Sequence, residues 1–240
     1  MRNLLVVDLG RVAYADALAL QRDVARARIA GDIDEDLLLL VEHPPVVTLG
    51  RSAKSAHMLA SPEYLKQRGV ELFEVERGGD ATFHGPGQLV GYPIIDLKQH
   101  RRDLHWYLRQ VEQVLIDAIG ALGVQGDRRA PYTGVWIDNR KIASIGVHAR
   151  DWVTWHGFAL NVTTDLRYFD LIVPCGIQAV TMTSLTAELP NEHITMPATA
   201  DAVVAAAASV FSLAPRQLTA RDLTAALHEP KTTADDRAGG

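Results

Sequence analysis

The chain holds a single cysteine, Cys175, in the run Val173-Pro174-Cys175-Gly176-Ile177. Proline before it and glycine after it punctuate the backbone on both sides, so the chain is expected to turn there and present one side chain outward. A thiol in that setting is a candidate nucleophile, because thiolate sulfur attacks carbonyl and thioester carbons once its pKa is lowered. A core cysteine that packs as a small hydrophobe is the competing reading, and the cysteine and its neighbours leave both open.

Three other segments carry residue types suited to chemistry. The first is Arg77-Gly78-Gly79-Asp80-Ala81-Thr82-Phe83-His84-Gly85-Pro86-Gly87-Gln88. Four glycines within eleven residues bare the backbone, and Arg77 and His84 bracket them with a fixed charge and a titratable ring. A plain hairpin needs only one or two glycines, so a ligand-binding loop is the better reading. It is neither a P-loop nor a dinucleotide fingerprint, since no Gly-Lys-Ser/Thr occurs and no helix follows.

The second segment is Arg140-Lys141-Ile142-Ala143-Ser144-Ile145-Gly146-Val147. Lys141 opens a strand of small and apolar residues. A lysine drawn into a partly apolar site trades protons readily, whereas one at a solvated hairpin tip does not. Ser144 and Gly146 leave room for a ligand on one face. The third segment, Trp155-His156-Gly157-Phe158-Ala159-Leu160-Asn161-Val162, reads as a strand whose small residues beside an aromatic wall a narrow slot or simply pack as sheet core.

The nine histidines include no His-Glu-x-x-His pair, and one cysteine makes no CxxC, so no metal site is expected. Nor is there a Gly-x-Ser-x-Gly, which argues against a serine hydrolase.

The elements that must position these residues alternate between strand and helix without a repeat. Leu4–Leu9, Leu37–Val41, Val46–Leu49, Val70–Glu76, Leu89–Ile95 and Trp152–Val162 read as strands, and Val135–Val147 as a hairpin with Asp138-Asn139 at its tip. Helices are expected over Ala13–Ala30, stopped by Gly31, and from Ser61-Pro62-Glu63 to Gly69. Further helices are expected over Leu104–Leu122, Ala200–Leu213 and Thr219–His228. Turns, more than crossover helices, join the strands. The expected class is α/β of the α+β type, a mixed sheet with packed helices, and not a Rossmann repeat. A single domain is expected over residues 1–230, followed by a polar tail at 231–240 that is expected to be disordered.

The 240 residues suffice for one large core, and 48% hydrophobic with 22% charged residues is ordinary for a globular protein. A net charge of −5 points to neither nucleic acid nor an anionic membrane surface. One cysteine rules out an internal disulfide framework, no signal peptide opens the sequence, and no apolar run approaches the roughly 20 residues of a membrane span. A reducing cytoplasm is the expected location.

Together the motifs resemble the octanoyltransferases of lipoate biosynthesis. The resemblance rests on Arg77-Gly78-Gly79 through His84-Gly85-Pro86-Gly87-Gln88, on Lys141-Ile142-Ala143-Ser144-Ile145-Gly146, on His156-Gly157-Phe158-Ala159-Leu160-Asn161, on Pro174-Cys175-Gly176-Ile177, and on Thr183-Ser184-Leu185. It implies the fold of lipoate and biotin protein ligase catalytic domains. It implies transfer of an octanoyl group from octanoyl-acyl carrier protein to a lysine of the lipoyl domains of 2-oxoacid dehydrogenases and of the glycine cleavage H protein, with no cofactor. On this resemblance Cys175 carries the acyl group and Lys141 tunes it. Arg77, Gly78, Gly79, Asp80, Ala81, Thr82, Phe83, His84, Ser144, Ile145, Gly146, Gly157, Phe158 and Ala159 surround the substrate. His84 shapes the pocket or bonds the acyl carbonyl, and backbone N–H groups near Cys175, Gly176 or Ser144 form the oxyanion hole. Lys141 and Cys175 are far apart in sequence, so their meeting is a claim about the fold.

Overall fold

The run Leu37-Leu38-Leu39-Leu40-Val41 is apolar at every position, which suits a strand covered on both faces. In the computed structural model, which describes residues 2–177 and 180–228, it becomes β2 (Asp36–Glu42), near the middle of a large mixed sheet. The strand before it is β1 (Asn3–Arg11), joined to β2 by helix α1 (Tyr14–Ala30) and paired with it in parallel. Gly31 ends α1 in the left-handed conformation, as expected of a glycine stop.

The chain then leaves the sheet at His43-Pro44-Pro45 and builds a small three-stranded one. It consists of β3 (Val46–Leu49), β4 (Glu71–Glu74) and β5 (Ala81–His84), with helix α2 (Pro62–Gln67) in between. Ser61 caps α2 by accepting the Tyr64 N–H at 3.2 Å, with Pro62 in the first turn.

β6 (Gln88–Ile94) returns to the large sheet beside β2. After α3 (Leu104–Ala121) come β7 (Asp127–Arg129), β8 (Tyr132–Ile137), β9 (Arg140–Arg150) and β10 (Val153–Asn161). The last elements are β11 (Thr181–Met182), α4 (Leu185–Glu188), α5 (Met196–Phe211), β12 (Ala214–Gln217) and α6 (Ala220–His228). Among the described residues the large sheet runs β12-β1-β2-β6-β10-β9-β8-β7, with β11 added alongside β9.

Side-chain alternation divides the core into two layers. Leu4, Val6, Leu38, Leu40, Phe158 and Leu160 point to the face covered by α3 and α5. Leu5, Val7, Leu37, Leu39, Val41 and Ala159 point to the opposite face, covered by α1 and α6.

Several short elements depart from the expected outline. Residues 81–84, placed within a ligand loop, form strand β5. α5 begins at Met196, about a turn before Ala200, because Thr195 accepts the Ala198 N–H at 3.3 Å and Pro197 supports the first turn. β7, β11 and β12 are too short or too polar to show a periodicity of their own. The tail at 231–240 lies outside the described residues.

Candidate active site

Lys141 reaches the interior through a fault in strand pairing. Trp136 of β8 faces Lys141 of β9, but Val135 faces Ala143, so Ile142 is an extra residue on β9. Such a bulge rotates the bulged strand and re-aims its side chains. Lys141 is consequently only 1% exposed, its Nζ 5.4 Å from the centre of the Trp136 ring. Gly134 makes room for it: a Cβ there would lie 2.7 Å from Lys141 Cε and 2.6 Å from the Ala143 carbonyl oxygen, and its φ of 135° suits glycine. The backbone of Lys141 is held on its other side, where its carbonyl accepts the Thr183 N–H at 2.9 Å.

Cys175 lies in the tight turn Pro174–Gly176, in the left-handed conformation at φ 56°, ψ 19°. The expected turn forms, but its side chain does not face outward as expected. The thiol points inward, where its Sγ accepts a hydrogen bond from Lys141 Nζ at 3.1 Å, across 34 residues of sequence. The Ser144 hydroxyl is 3.7 Å from the same sulfur. Burial alone pushes the thiol pKa up, and that is the largest influence on it. The Lys141 charge and hydrogen bond, the Ser144 hydroxyl and the Arg77 charge together outweigh it, and the thiol falls below its ordinary value.

The pair opens into a cavity of about 490 Å³ between the two sheets. It is lined by Arg77, Gly78, Gly79, Asp80, Thr82, His84, Ser144, Ile145, Gly146, Gly157, Phe158 and Ala159 as well as by Lys141 and Cys175. Ala81 and Phe83 are the exceptions. Both lie on β5, whose side chains alternate: Thr82 and His84, like Asp80 just before the strand, face the cavity, while Ala81 and Phe83 face the core beneath the small sheet. Phe83 stacks on Tyr168 with ring centres 4.7 Å apart. The Ala81 and Phe83 side chains, expected at the substrate, pack in that core and not on the cavity wall.

Other expected residues prove to be held by the protein itself. Arg77 is 7% exposed and spends its guanidinium on the Thr48 carbonyl at 2.7 Å, the Thr48 hydroxyl at 2.9 Å and the Gly78 carbonyl at 3.0 Å. The Gly78 N–H in turn donates to the Val147 carbonyl at 2.9 Å, tying the glycine segment to β9.

His84 has its pKa pushed down to about 3, chiefly by burial, so its ring is neutral near pH 7. Its tautomer follows from Gln88. The Gln88 amide nitrogen donates to the Phe83 carbonyl at 3.1 Å and to Asn161 Oδ1 at 2.9 Å, which leaves Gln88 Oε1 to accept from His84 Nδ1 at 2.8 Å. His84 Nε2 is then an acceptor, so His84 shapes the pocket and has no proton to offer an acyl oxygen. The Gly176 N–H is likewise unavailable to an oxyanion, since it donates to the Val173 carbonyl at 3.0 Å.

The family model described as the lipoyl protein ligase A/B catalytic domain matches residues 13–208. An octanoyltransferase of Rubrobacter xylanophilus is 55% identical over 185 residues, covering 76% of this chain and 82% of that protein. One of Roseiflexus sp. is 45% identical over 218 residues, covering 90% of each. The chain belongs to the octanoyltransferases of the lipoyl protein ligase A/B catalytic-domain family.

It is thus an acyltransferase of the lipoylation machinery. A lipoate protein ligase of Thermoplasma acidophilum with bound lipoic acid superposes with a TM-score of 0.76 at 17% identity, covering 95% of this chain and 93% of that one. That likeness establishes the mixed-sheet ligase fold.

Tyr14 of α1 and Tyr92 of β6, which the sequence did not single out, also line the octanoyltransferase cavity, and so does His156 of β10, which opens one of the motifs but carries no expected role. His156 is 1% exposed and, at φ 56°, departs from extended geometry; burial pushes its ring pKa down against the pull of the Glu76 carboxylate 3.6 Å away. Tyr14 and Tyr92 have no local motif to mark them, because it is the packing of α1 and the small sheet on the large one that brings them to the site. Among the described residues no helix is long and apolar enough to cross a membrane.

Proposed function

We propose that this octanoyltransferase moves an octanoyl group from octanoyl-acyl carrier protein to a lysine of lipoyl domains, including those of 2-oxoacid dehydrogenases and the glycine cleavage H protein, through a thioester on Cys175. Residues 1–230 act as one catalytic domain. The observation that carries the reading is the 3.1 Å contact of Lys141 Nζ with Cys175 Sγ inside the cavity.

A free thiol with a pKa of about 8.5 is only a few per cent ionised at neutral pH, so a buried ammonium beside it promotes the reactive thiolate. The thiolate attacks the carrier thioester. The tetrahedral intermediate collapses, the carrier sulfur leaves with the Lys141 proton, and Lys141 is neutral in the acyl-enzyme. The acceptor lysine enters as free amine, having released one proton to solvent. As it attacks the Cys175 thioester, Lys141 takes its second proton and the Cys175 thiolate departs. The enzyme ends as it began, and the retained thioester energy makes ATP unnecessary. The Ser144 hydroxyl, 3.7 Å from Sγ, is the side-chain donor best placed for the developing oxyanion.

Gly78, Gly79, Gly157 and Ala159 are small enough to admit an acyl chain. At about 0.8 kcal/mol per buried CH₂, an octanoyl chain gains at most some 5–6 kcal/mol. A reducing cytoplasm suits a mechanism that depends on a lone free thiol.

The test is to mix the protein, octanoyl carrier and a lipoyl domain without ATP and weigh all three. Expected are one octanoyl group on the acceptor and, with the carrier alone, one hydroxylamine-labile octanoyl group on the enzyme. Acceptor modification that requires free octanoate and ATP would overturn the reading in favour of a ligase.

A further inference from the structure

The candidate nucleophile stands on strained backbone. Cys175 has φ 56° and Gly176 follows at φ 67°. A non-glycine residue in the left-handed region is strained and persists where its surroundings hold it. The turn's own bonds, Gly176 N–H to Val173 O at 3.0 Å and Ile177 N–H to Pro174 O at 3.1 Å, are local and leave it free to shift as a unit.

The segment 57–60 joins the turn to the body. The Val173 N–H donates to the His57 carbonyl at 2.8 Å, and the N–H groups of Leu59 and Ala60 each donate to the Leu171 carbonyl at 3.0 Å. The His57 ring is itself fixed, its Nδ1 2.6 Å from Asp80 Oδ2. Since a carboxylate only accepts, Nδ1 carries the hydrogen. Asp80 is anchored in turn, its Oδ1 accepting the Ala81 N–H at 2.7 Å where β5 begins. Both side chains press on Gly176: a Cβ there would lie 2.7 Å from Asp80 Oδ2 and 3.1 Å from His57 Cε1.

We propose that His57 and Asp80 are a positioning pair that backs the Gly176 peptide and so holds Cys175 in its left-handed conformation, with Sγ against Lys141. The proposal rests on the reading of Cys175 as the acyl-carrying nucleophile. Asp80 acts through the turn and not on the substrate, although it lines the cavity. Without the pair, the turn relaxes toward commoner backbone angles and the sulfur leaves Lys141.

The test compares His57→Ala, Asp80→Ala and His57→Asn in the full chain. In both alanine variants the rate of Cys175 octanoylation should fall roughly ten- to hundredfold, the order expected for a misplacement of about 1 Å. The midpoint of iodoacetamide alkylation of Cys175 should move to higher pH, because the thiolate loses its ammonium. Dependence on octanoyl-carrier concentration and the melting temperature should stay near wild type. His57→Asn, whose amide nitrogen falls close to the position of Nδ1, should recover most of both properties. Wild-type alkylation profiles in the alanine variants would overturn the proposal, as would a rate loss that tracks the melting temperature, or an asparagine variant no better than alanine. A wild-type enzyme that never acquires octanoyl on Cys175 would overturn the functional reading instead, while the alkylation profiles still judge the pair.

Discussion

Two buried cations in this molecule are compensated in opposite ways. Arg28, near the end of α1, is 3% exposed and meets Asp36 of β2 at 2.9 Å. Asp36 also takes His100 Nε2 at 2.7 Å and the Asp96 N–H at 2.9 Å. Burial pushes the Asp36 carboxyl up most strongly, but its bonds from His100, the Asp96 amide and Arg28 outweigh that and hold it below its ordinary value. Lys141 is buried as deeply, yet among the described residues no carboxylate lies within 4 Å of it, and its partner is the Cys175 thiol. Arg77 is similar, with neutral oxygens as its hydrogen-bond acceptors. A buried charge without a counter-charge is costly and tends to mark a functional site. The first cluster carries its anion permanently. The second acquires one when the thiol ionises.

The sharpest way to break this comparison is Cys175→Ala. Octanoyl transfer should fall by roughly 10³-fold or more, the order seen when a covalent nucleophile is removed. A variant that turns over near the wild-type rate would place the chemistry elsewhere.

Asp36→Ala should act on the other side of the comparison. Stranding Arg28 should cost about 3–5 kcal/mol in denaturant unfolding at neutral pH, with turnover of the folded fraction retained. Because the folded carboxyl titrates below its unfolded value of about 3.9, its contribution is complete above that pH and is lost as pH falls through the folded value. The stability gap between wild type and variant should therefore narrow below about pH 4. A variant within about 1 kcal/mol of wild type at pH 7 would show that the cluster is not cohesive.

Lys141→Ala leaves burial of the thiol, which opposes ionisation, less opposed. Alkylation of Cys175 at neutral pH should slow, with its midpoint moved to higher pH, and transfer should fall on the order of 10²-fold. An unchanged alkylation profile would reduce Lys141 to a packing residue.

Ala159→Leu tests the space that the second cluster faces. Ala159 is 3% exposed and pairs across the sheet with Ser144. Added bulk should cost about 1–3 kcal/mol for an octanoyl chain, or roughly ten- to hundredfold in rate. Butanoyl transfer should fall much less, with alkylation of Cys175 unaffected. Equal losses for both chains would move Ala159 away from the acyl path.

Much of this was readable from the chain. The apolar run of β2, the Ser61-Pro62 start of α2 and the glycine stop after α1 are local signals, because periodicity and capping act within a few residues. The motifs around Arg77, Lys141, Phe158 and Cys175 marked most of the residues that line the cavity. Around β5 they did not separate the cavity-facing Asp80, Thr82 and His84 from Ala81 and Phe83. A glycine-rich context hid the strand, and its period of two settled the sorting.

The chain alone shows the cysteine and the lysine, the turn that bears one and the strand that bears the other. Tertiary structure decided that they meet. The extra residue Ile142 turns Lys141 inward, Gly134 leaves room for its stem, and the His57–Asp80 pair lies under the left-handed turn of Cys175. Tyr14 and His156 reach the cavity for the same reason. A bulge needs a partner strand, and a strained turn needs neighbours that hold it. Those partners lie up to a hundred residues or more away in sequence, beyond the reach of any local pattern.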